Sequence, residues 1–133
     1  RYNAQAYPQI IQTLQELKAK GYLLAVGTLK HEPLAVQMME YFGMSHYFDS
    51  IRGSDTNSTL TKTDIIQNVL SDVSVSNDQA VLIGDTVHDQ VGARDAQVAF
   101  IAVDYGFGFP KGQQKEDSMY AVIESPEQLL TLL

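Results

Sequence analysis

The chain has 133 residues, of which 16 are acidic and 9 basic, and its net charge at neutral pH is -7. This length suits one domain formed by residues 1–133, and the absence of cysteine excludes disulfides and thiol catalysis. The acidic balance argues against a nucleic-acid partner, and no apolar run is long enough to span a membrane, so we expect a cytoplasmic globular domain.

Helices and short apolar strands alternate along the sequence. Periodicity and helix-end signals predict helices over residues 10–20, 32–42, 61–73, 87–96 and 126–133. Short apolar runs predict strands over residues 22–26, 47–52, 80–83, 98–103 and 120–123, and a loop rich in glycine and aromatic residues over 105–112. The alternation, with its short connections, indicates an α/β fold with a parallel sheet and right-handed crossovers.

Polar residues follow four of the predicted strands. Thr28 follows the first strand, Asp55 the second, Asp85 the third and Asp104 the fourth. In an open parallel sheet, ligands bind beyond the carboxyl ends of the strands, which all meet at one edge. We therefore expect the functional site at that edge.

The turn after the third strand places two acids four residues apart. Gly84 allows a tight turn, after which Asp85 and Asp89 are expected to face the same space. Two carboxylates suit Mg²⁺, which takes one or two of them together with water and phosphate oxygens. The alternative is helix capping, because aspartate near a helix start satisfies free N–H groups. His88 is expected to lie outside the ligand set, since Mg²⁺ prefers oxygen.

Two further residues are candidates for binding phosphate. The hydroxyl of Thr28 and the N–H groups that follow it can hold an anion, although a threonine there can equally cap a helix. Lys62 opens a predicted helix, where the helix dipole disfavours a cation, so an anionic partner is expected. The alternative for Lys62 is an exposed ammonium whose stem lies on apolar surface.

The ordered set of these residues resembles the haloacid dehalogenase-like phosphatase superfamily, in its phosphoglycolate phosphatase-like branch. The motifs that carry the resemblance are Thr28 after the first strand, Lys62 at a later helix start, Gly84-Asp85-Thr86-Val87-His88-Asp89 after the third strand, and Tyr105-Gly106-Phe107-Gly108 after the fourth. The resemblance covers nearly the whole chain. It implies a three-layer, doubly wound parallel sheet with a Rossmann-type core.

The resemblance also implies a role for each matching residue. Thr28 and Leu29 would contact the phosphoryl group, Lys62 would neutralise it, and Asp85 and Asp89 would hold Mg²⁺. Thr28, Lys62 and Asp85 are thus the catalytic candidates in a Mg²⁺-dependent phosphatase that acts on a small phosphorylated metabolite through an aspartyl-phosphate. Leu29 departs from the asparagine or serine usual in the family, which should alter a contact made mainly by the backbone.

A second departure concerns the nucleophile. The family carries an Asp-x-Asp motif after its first strand, whereas no aspartate precedes Thr28 in this sequence, and the helical cap is missing as well. In the family that strand lies between the strands bearing Thr28 and Asp85, so both would have unpaired edges here. We expect the C-terminal part of a longer protein, inactive alone. The edges would be covered by the missing N-terminal segment or in a homodimer, or would pair directly.

Two other functions remain open at this point. One is a non-catalytic module that binds phosphate or metal, of the response-regulator type or otherwise. A response regulator would need an acidic pair after its first strand, where this chain has Thr28. A phosphosugar mutase of the same superfamily is the other alternative, and His88 with Asp89 fits the phosphatase branch better.

Overall fold

The computed structural model describes residues 10–103, 115–116 and 119–133. Its strands and helices are α1 (Ile10–Ala19), β1 (Ala25–His31), α2 (Glu32–Tyr41), β2 (Ser50–Ser54), α3 (Lys62–Val73), β3 (Val81–Gly84), α4 (Val87–Ala96), β4 (Ala99–Val103), β5 (Ala121–Ile123) and α5 (Leu129–Leu132). None of the helices in the described ranges has the length and apolar character that crossing a membrane requires. The loop predicted over 105–112 lies outside the described residues.

The strands form two parallel groups. β1 pairs with β2, and the other three strands are arranged in the order β3-β4-β5, with every pair parallel. The predicted α/β class with a parallel sheet is therefore confirmed. Within the described residues β1 and β3 are not hydrogen-bonded to each other, so the alternative in which these two strands pair directly is wrong.

β4 shows that helices cover both faces of the sheet. Phe100 and Ala102 pack in one apolar cluster with residues of α3 and α4, whereas Ile101 and Val103 pack in another with Leu17 of α1 and residues near the C-terminus. Successive side chains of a strand point to opposite faces, so the two clusters lie on opposite sides of β4. This is the expected three-layer arrangement.

Two strands begin three residues later than the sequence predicted. β1 starts at Ala25 rather than at residue 22, because the Asp49 carboxylate accepts the Leu24 N–H at 2.9 Å. β2 starts at Ser50 rather than at residue 47, because Ser45–Tyr47 form a single 3-10 turn. A long-range contact in the first case and a local turn in the second take the place of a strand ladder.

An ion pair joins β2 to the far end of α3. Asp72 accepts hydrogen bonds from Arg52 Nε at 2.7 Å and Nη2 at 2.8 Å, and from the Ser50 hydroxyl at 2.7 Å. The Arg52 guanidinium, and then the Ser50 hydroxyl, lower the pKa of Asp72 to about 2. The contact holds α3 against the two-stranded group at the end remote from Lys62.

The helix starts next to the predicted site are well capped. Thr61 and Asp64 form a capping box at the start of α3, and Thr86 accepts the Asp89 N–H at 3.1 Å at the start of α4. Such caps satisfy backbone N–H groups that the helix itself leaves free. They fix the first turns that carry Lys62 and Asp89.

Candidate functional site

A pocket of about 330 Å³ lies at the carboxyl ends of β1 and β3. It is lined by Gly27, Thr28, Leu29, Lys62, Ile83, Gly84, Asp85, Thr86, His88 and Asp89. All five residues proposed from the sequence for catalysis, phosphate binding or metal binding are in this set. Parallel strands bring them together, since their carboxyl ends meet at one edge.

Thr28 lies in the irregular part of β1, where the ladder to β2 is interrupted between Gly27 and His31. The Thr28 hydroxyl accepts the Lys30 N–H at 3.2 Å. α2 begins only at Glu32, so the interpretation of Thr28 as a helix cap is wrong. Leu29, 47% exposed, places an apolar side chain at the rim of the pocket.

Lys62 enters the pocket from the first turn of α3. Its side chain is only 10% exposed, and its ammonium lies 2.9 Å from Asp89 Oδ1. The ammonium also donates a hydrogen bond to the Gly27 carbonyl oxygen. Lys62 therefore has the anionic partner expected of a cation at a helix start, and the exposed-lysine alternative is wrong.

Asp89 connects the lysine to the turn after β3. Its Oδ2 accepts the Asp85 N–H at 3.2 Å, while Oδ1 faces Lys62. A Cβ at Gly84 would lie 2.5 Å from both Cβ and Oδ2 of Asp89, so only glycine leaves room for this carboxylate. Asp89 thus combines the capping contact considered from the sequence with an ion pair inside the pocket.

Asp85 differs from Asp89 in its contacts. Across the ranges 10–103, 115–116 and 119–133, its carboxylate makes no hydrogen bond or ion pair, although the residue lines the pocket and is partly buried. The N-cap of α4 is Thr86, so the Asp85 side chain is not needed for that function. A partly buried carboxylate without a partner is available for a ligand.

The residues present suit Mg²⁺ in the chemistry of their donors. Asp85 and Asp89 supply two carboxylates to one pocket, and Mg²⁺ is held in proteins by one or two carboxylates that leave sites for water and phosphate. The part of the chain that the structure describes contains no cluster of three or more acidic, histidine or cysteine ligands. His88, between these two acids in the sequence, is exposed.

Some expected neighbours lie elsewhere. The Asp55 carboxylate accepts the N–H groups of Thr59 at 2.7 Å and Leu60 at 3.3 Å, and the Thr59 hydroxyl lowers its pKa. It therefore orders the loop before α3 instead of lining the pocket. Asp104 lies outside the described residues.

A second cavity, here called the interstrand groove, separates β1 from β3. It has a volume of about 760 Å³ and is lined mainly by apolar residues of β1, α3 and β3, among them Val26, Ile66, Val69, Leu82 and Ile83. Gly27 and Ile83 line both this groove and the pocket, so the groove leads to the pocket. The sequence predicted unpaired edges here, and the groove is the space between them.

Together the fold and the pocket define a parallel α/β domain with a lysine and two aspartates gathered beyond its strand ends. The chain belongs to the haloacid dehalogenase-like hydrolases, whose family model matches residues 2–103. This membership confirms the resemblance seen in the motifs. A response-regulator-like module is therefore the wrong family.

The named relatives include a phosphoglycolate phosphatase and a 5′-nucleotidase, and others carry the name of a tyrosine-protein kinase. The chain is 36% identical to a phosphoglycolate phosphatase of Agrobacterium fabrum over 76% of this chain and 44% of that protein. It is 32% identical to a 5′-nucleotidase of Pseudomonas aeruginosa over 80% of this chain and 49% of that protein. A predicted phosphatase from Clostridium acetobutylicum matches in structure with a TM-score of 0.86 and 32% identity, over 95% of this chain and 58% of that one. The chain thus spans about half the length of these relatives.

Proposed function

We propose that this chain supplies the phosphate-binding and Mg²⁺-binding part of a cytoplasmic phosphatase that hydrolyses small phosphate monoesters. The observation that carries the proposal is the single pocket in which Thr28, Lys62, Asp85 and Asp89 meet beyond the ends of parallel strands. Membership of a hydrolase family and the names of two relatives support the same chemistry.

Lys62 and Thr28 would bind the phosphoryl group. The ammonium of Lys62 is held by the Gly27 carbonyl and by Asp89, so it is oriented before a ligand arrives. Phosphoryl transfer spreads negative charge over the phosphoryl oxygens, and a cation fixed in advance stabilises that charge without reorganisation. The Thr28 hydroxyl, with the N–H groups near it, would orient the same oxygens.

Asp85 and Asp89 would hold Mg²⁺. When bound, the metal supplies further positive charge beside the phosphoryl oxygens. Asp85 has a carboxylate without a partner among the described residues, whereas Asp89 must share its oxygens between the metal and Lys62. We therefore assign the stronger contribution to Asp85.

The nucleophile in this proposal comes from a segment that fills the interstrand groove. No aspartate precedes Thr28, so residues 1–27 hold no candidate. The groove measures about 760 Å³ and is lined mainly by apolar residues, so it offers space and apolar contacts to a further segment of chain. A strand parallel to its neighbours there would end at the pocket.

We propose that a segment of the same protein, N-terminal to this sequence, occupies the groove. An Asp-x-Asp motif after an apolar strand in the upstream coding sequence supports this proposal. A second copy of the chain in the groove would instead give a dimer of the purified 133-residue chain in sedimentation. Upstream coding sequence without that motif would contradict the proposed mechanism.

The activity can be tested on the full-length protein with p-nitrophenyl phosphate and Mg²⁺. We expect Mg²⁺-dependent hydrolysis that is lost in Asp85→Asn, while the 133-residue chain alone shows none. Phosphoglycolate and a nucleoside monophosphate, tested side by side, would separate the two phosphate-ester activities named among the relatives. Turnover by the 133-residue chain would overturn the claim that its nucleophile lies elsewhere.

A further inference from the structure

Gly92 occupies an unusual place for a glycine. It lies in the interior of α4 and is buried. Glycine is the least favourable residue in a helix interior apart from proline, and the adjacent buried position is an alanine, Ala93. A packing requirement specific to position 92 would explain the choice.

The requirement comes from Lys62. A Cβ at position 92 would lie 2.6 Å from Cγ and 2.9 Å from Cβ of Lys62, and 3.3 Å from Cδ1 of Ile66. The Cβ of Lys62 cannot move away without shifting the start of α3, and Cγ can move away only by a χ1 rotation that redirects the whole lysine side chain. The end of Ile66 can adjust by rotation. The steric conflict therefore falls on the lysine.

The same helix provides the partner of the lysine. Asp89 lies three residues before Gly92, and residues three apart share a face of a helix. The stem of Lys62 passes over Gly92 while its ammonium lies 2.9 Å from Asp89 Oδ1. One face of α4 thus sets both the route of the side chain and the position of its charge.

We propose that Gly92 is a positioning residue for Lys62. Any side chain at position 92 moves the lysine base and withdraws the ammonium from the place where it would meet a phosphoryl group. This inference rests on the proposed function of Lys62 as the phosphate-binding cation. It adds to the site a residue that lies outside the pocket lining and carries no polar side chain.

The affinity of the full-length protein for inorganic phosphate, measured in the presence of Mg²⁺, tests whether Gly92 positions Lys62 for phosphate binding. Loss of a charge-assisted hydrogen bond predicts about 10- to 100-fold weaker binding for both Lys62→Ala and Gly92→Ala. Asp95→Ala, an exposed position on the same helix, should bind phosphate as the parent does. Combining Gly92→Ala with Lys62→Gly should weaken binding no further than Lys62→Gly alone, because the ammonium and both lysine atoms that the methyl group would meet are gone.

The phosphate affinities of these variants distinguish the proposed function of Lys62 from the proposed role of Gly92. If Lys62→Ala leaves phosphate binding unchanged, the proposed function of Lys62 fails and this inference fails with it. If Lys62→Ala weakens binding and Gly92→Ala does not, only the inference fails. An equal further loss from Gly92→Ala in the Lys62→Gly background would show a general packing defect and would also overturn it.

If Gly92→Ala does not fold in the parent, thermal unfolding in a second background still tests the contact with Lys62. Lys62→Gly removes both lysine atoms that a methyl group at position 92 would meet. In that background Gly92→Ala should raise the Tm, because only the better helix propensity of alanine remains. In the parent it should lower the Tm or prevent folding. Failure of Lys62→Gly to reverse the effect would contradict the proposed contact.

Discussion

β4 and β3 are neighbours in one sheet but differ in how completely they are covered. β4 has a hydrogen-bonded strand on each side and four buried residues out of five, whereas β3 pairs with β4 alone in the described part of the chain. Ile83, at the edge of β3, is 37% exposed. The apolar core is therefore complete around β4 and incomplete at the interstrand groove. The charged side chains of the pocket at the end of this groove are nevertheless in position.

The largest loss of stability should come from a substitution in the buried core around β4. Phe100→Ala removes a side chain that is 2% exposed in the centre of an apolar cluster. Truncation of a buried phenylalanine costs about 3–5 kcal/mol of unfolding free energy. Urea denaturation of the full-length protein measures it, with Tyr120→Ala, at a residue 55% exposed, as the comparison. Similar costs for the two variants would mean that β4 is not the centre of the core.

A charge at the open edge tests whether the groove is filled. In the full-length protein, Ile83→Asp should lower the unfolding free energy by about 3 kcal/mol, because a strand in the groove would bury the carboxylate without a partner. Leu34→Asp is the matched control, since Leu34 is 39% exposed and lies outside the groove. Equal, small losses in chemical denaturation would indicate that solvent, rather than a strand, occupies the groove.

A smaller effect, on the affinity for Mg²⁺, is expected from a substitution at Gly84, where the groove meets the pocket. Gly84→Ala would place a methyl group 2.5 Å from the Asp89 carboxylate and displace it. Disturbing the groups that orient a metal ligand typically weakens metal binding about 10- to 100-fold. Calorimetric titration of the full-length protein with Mg²⁺ gives the value, and Asp95→Asn should bind as the parent. Unchanged affinity in Gly84→Ala would remove Asp89 from the proposed metal site.

The smallest effect concerns the ion pair between β2 and α3. The folded-state pKa of Asp72 is lowered from 3.8 to about 2, so its contribution to stability is present above pH 3.8 and is lost as pH falls through about 2. Asp72→Asn should therefore unfold at a slightly lower temperature at pH 6, and the difference should shrink toward pH 2. A difference that stays constant over this range would rule out the carboxylate as its cause.

The sequence predicts the elements and the site where local chemistry determines them. α4 has the bounds 87–96 that periodicity gives, because helix formation there depends on neighbouring residues and on the Thr86 cap. Thr28, Leu29 and Asp85 lie near one another because the direction of parallel strands decides where strand ends lie, whereas Lys62 and Asp89 enter from the first turns of α3 and α4. The bounds of α4 and the position of the strand ends need no knowledge of distant contacts.

What the sequence does not predict depends on residues far apart in the chain. The start of β1 moves to Ala25 because Asp49, 25 residues after Leu24, takes a backbone N–H that a strand ladder would otherwise use. The role of Gly92 depends on which helix crosses α4 and where, and no local pattern encodes that crossing. In the sequence, the only indication of this role is a glycine inside a predicted helix.

The ion pair between Lys62 and Asp89 has a thermodynamic consequence. Its members are 10% and 15% exposed, and under the proposed function phosphate binds beside the first and Mg²⁺ beside the second while the pair stays together. The two ligands carry opposite charges into one pocket, so binding of one should tighten binding of the other by the same factor. Phosphate and Mg²⁺ would then be heterotropic activators of each other.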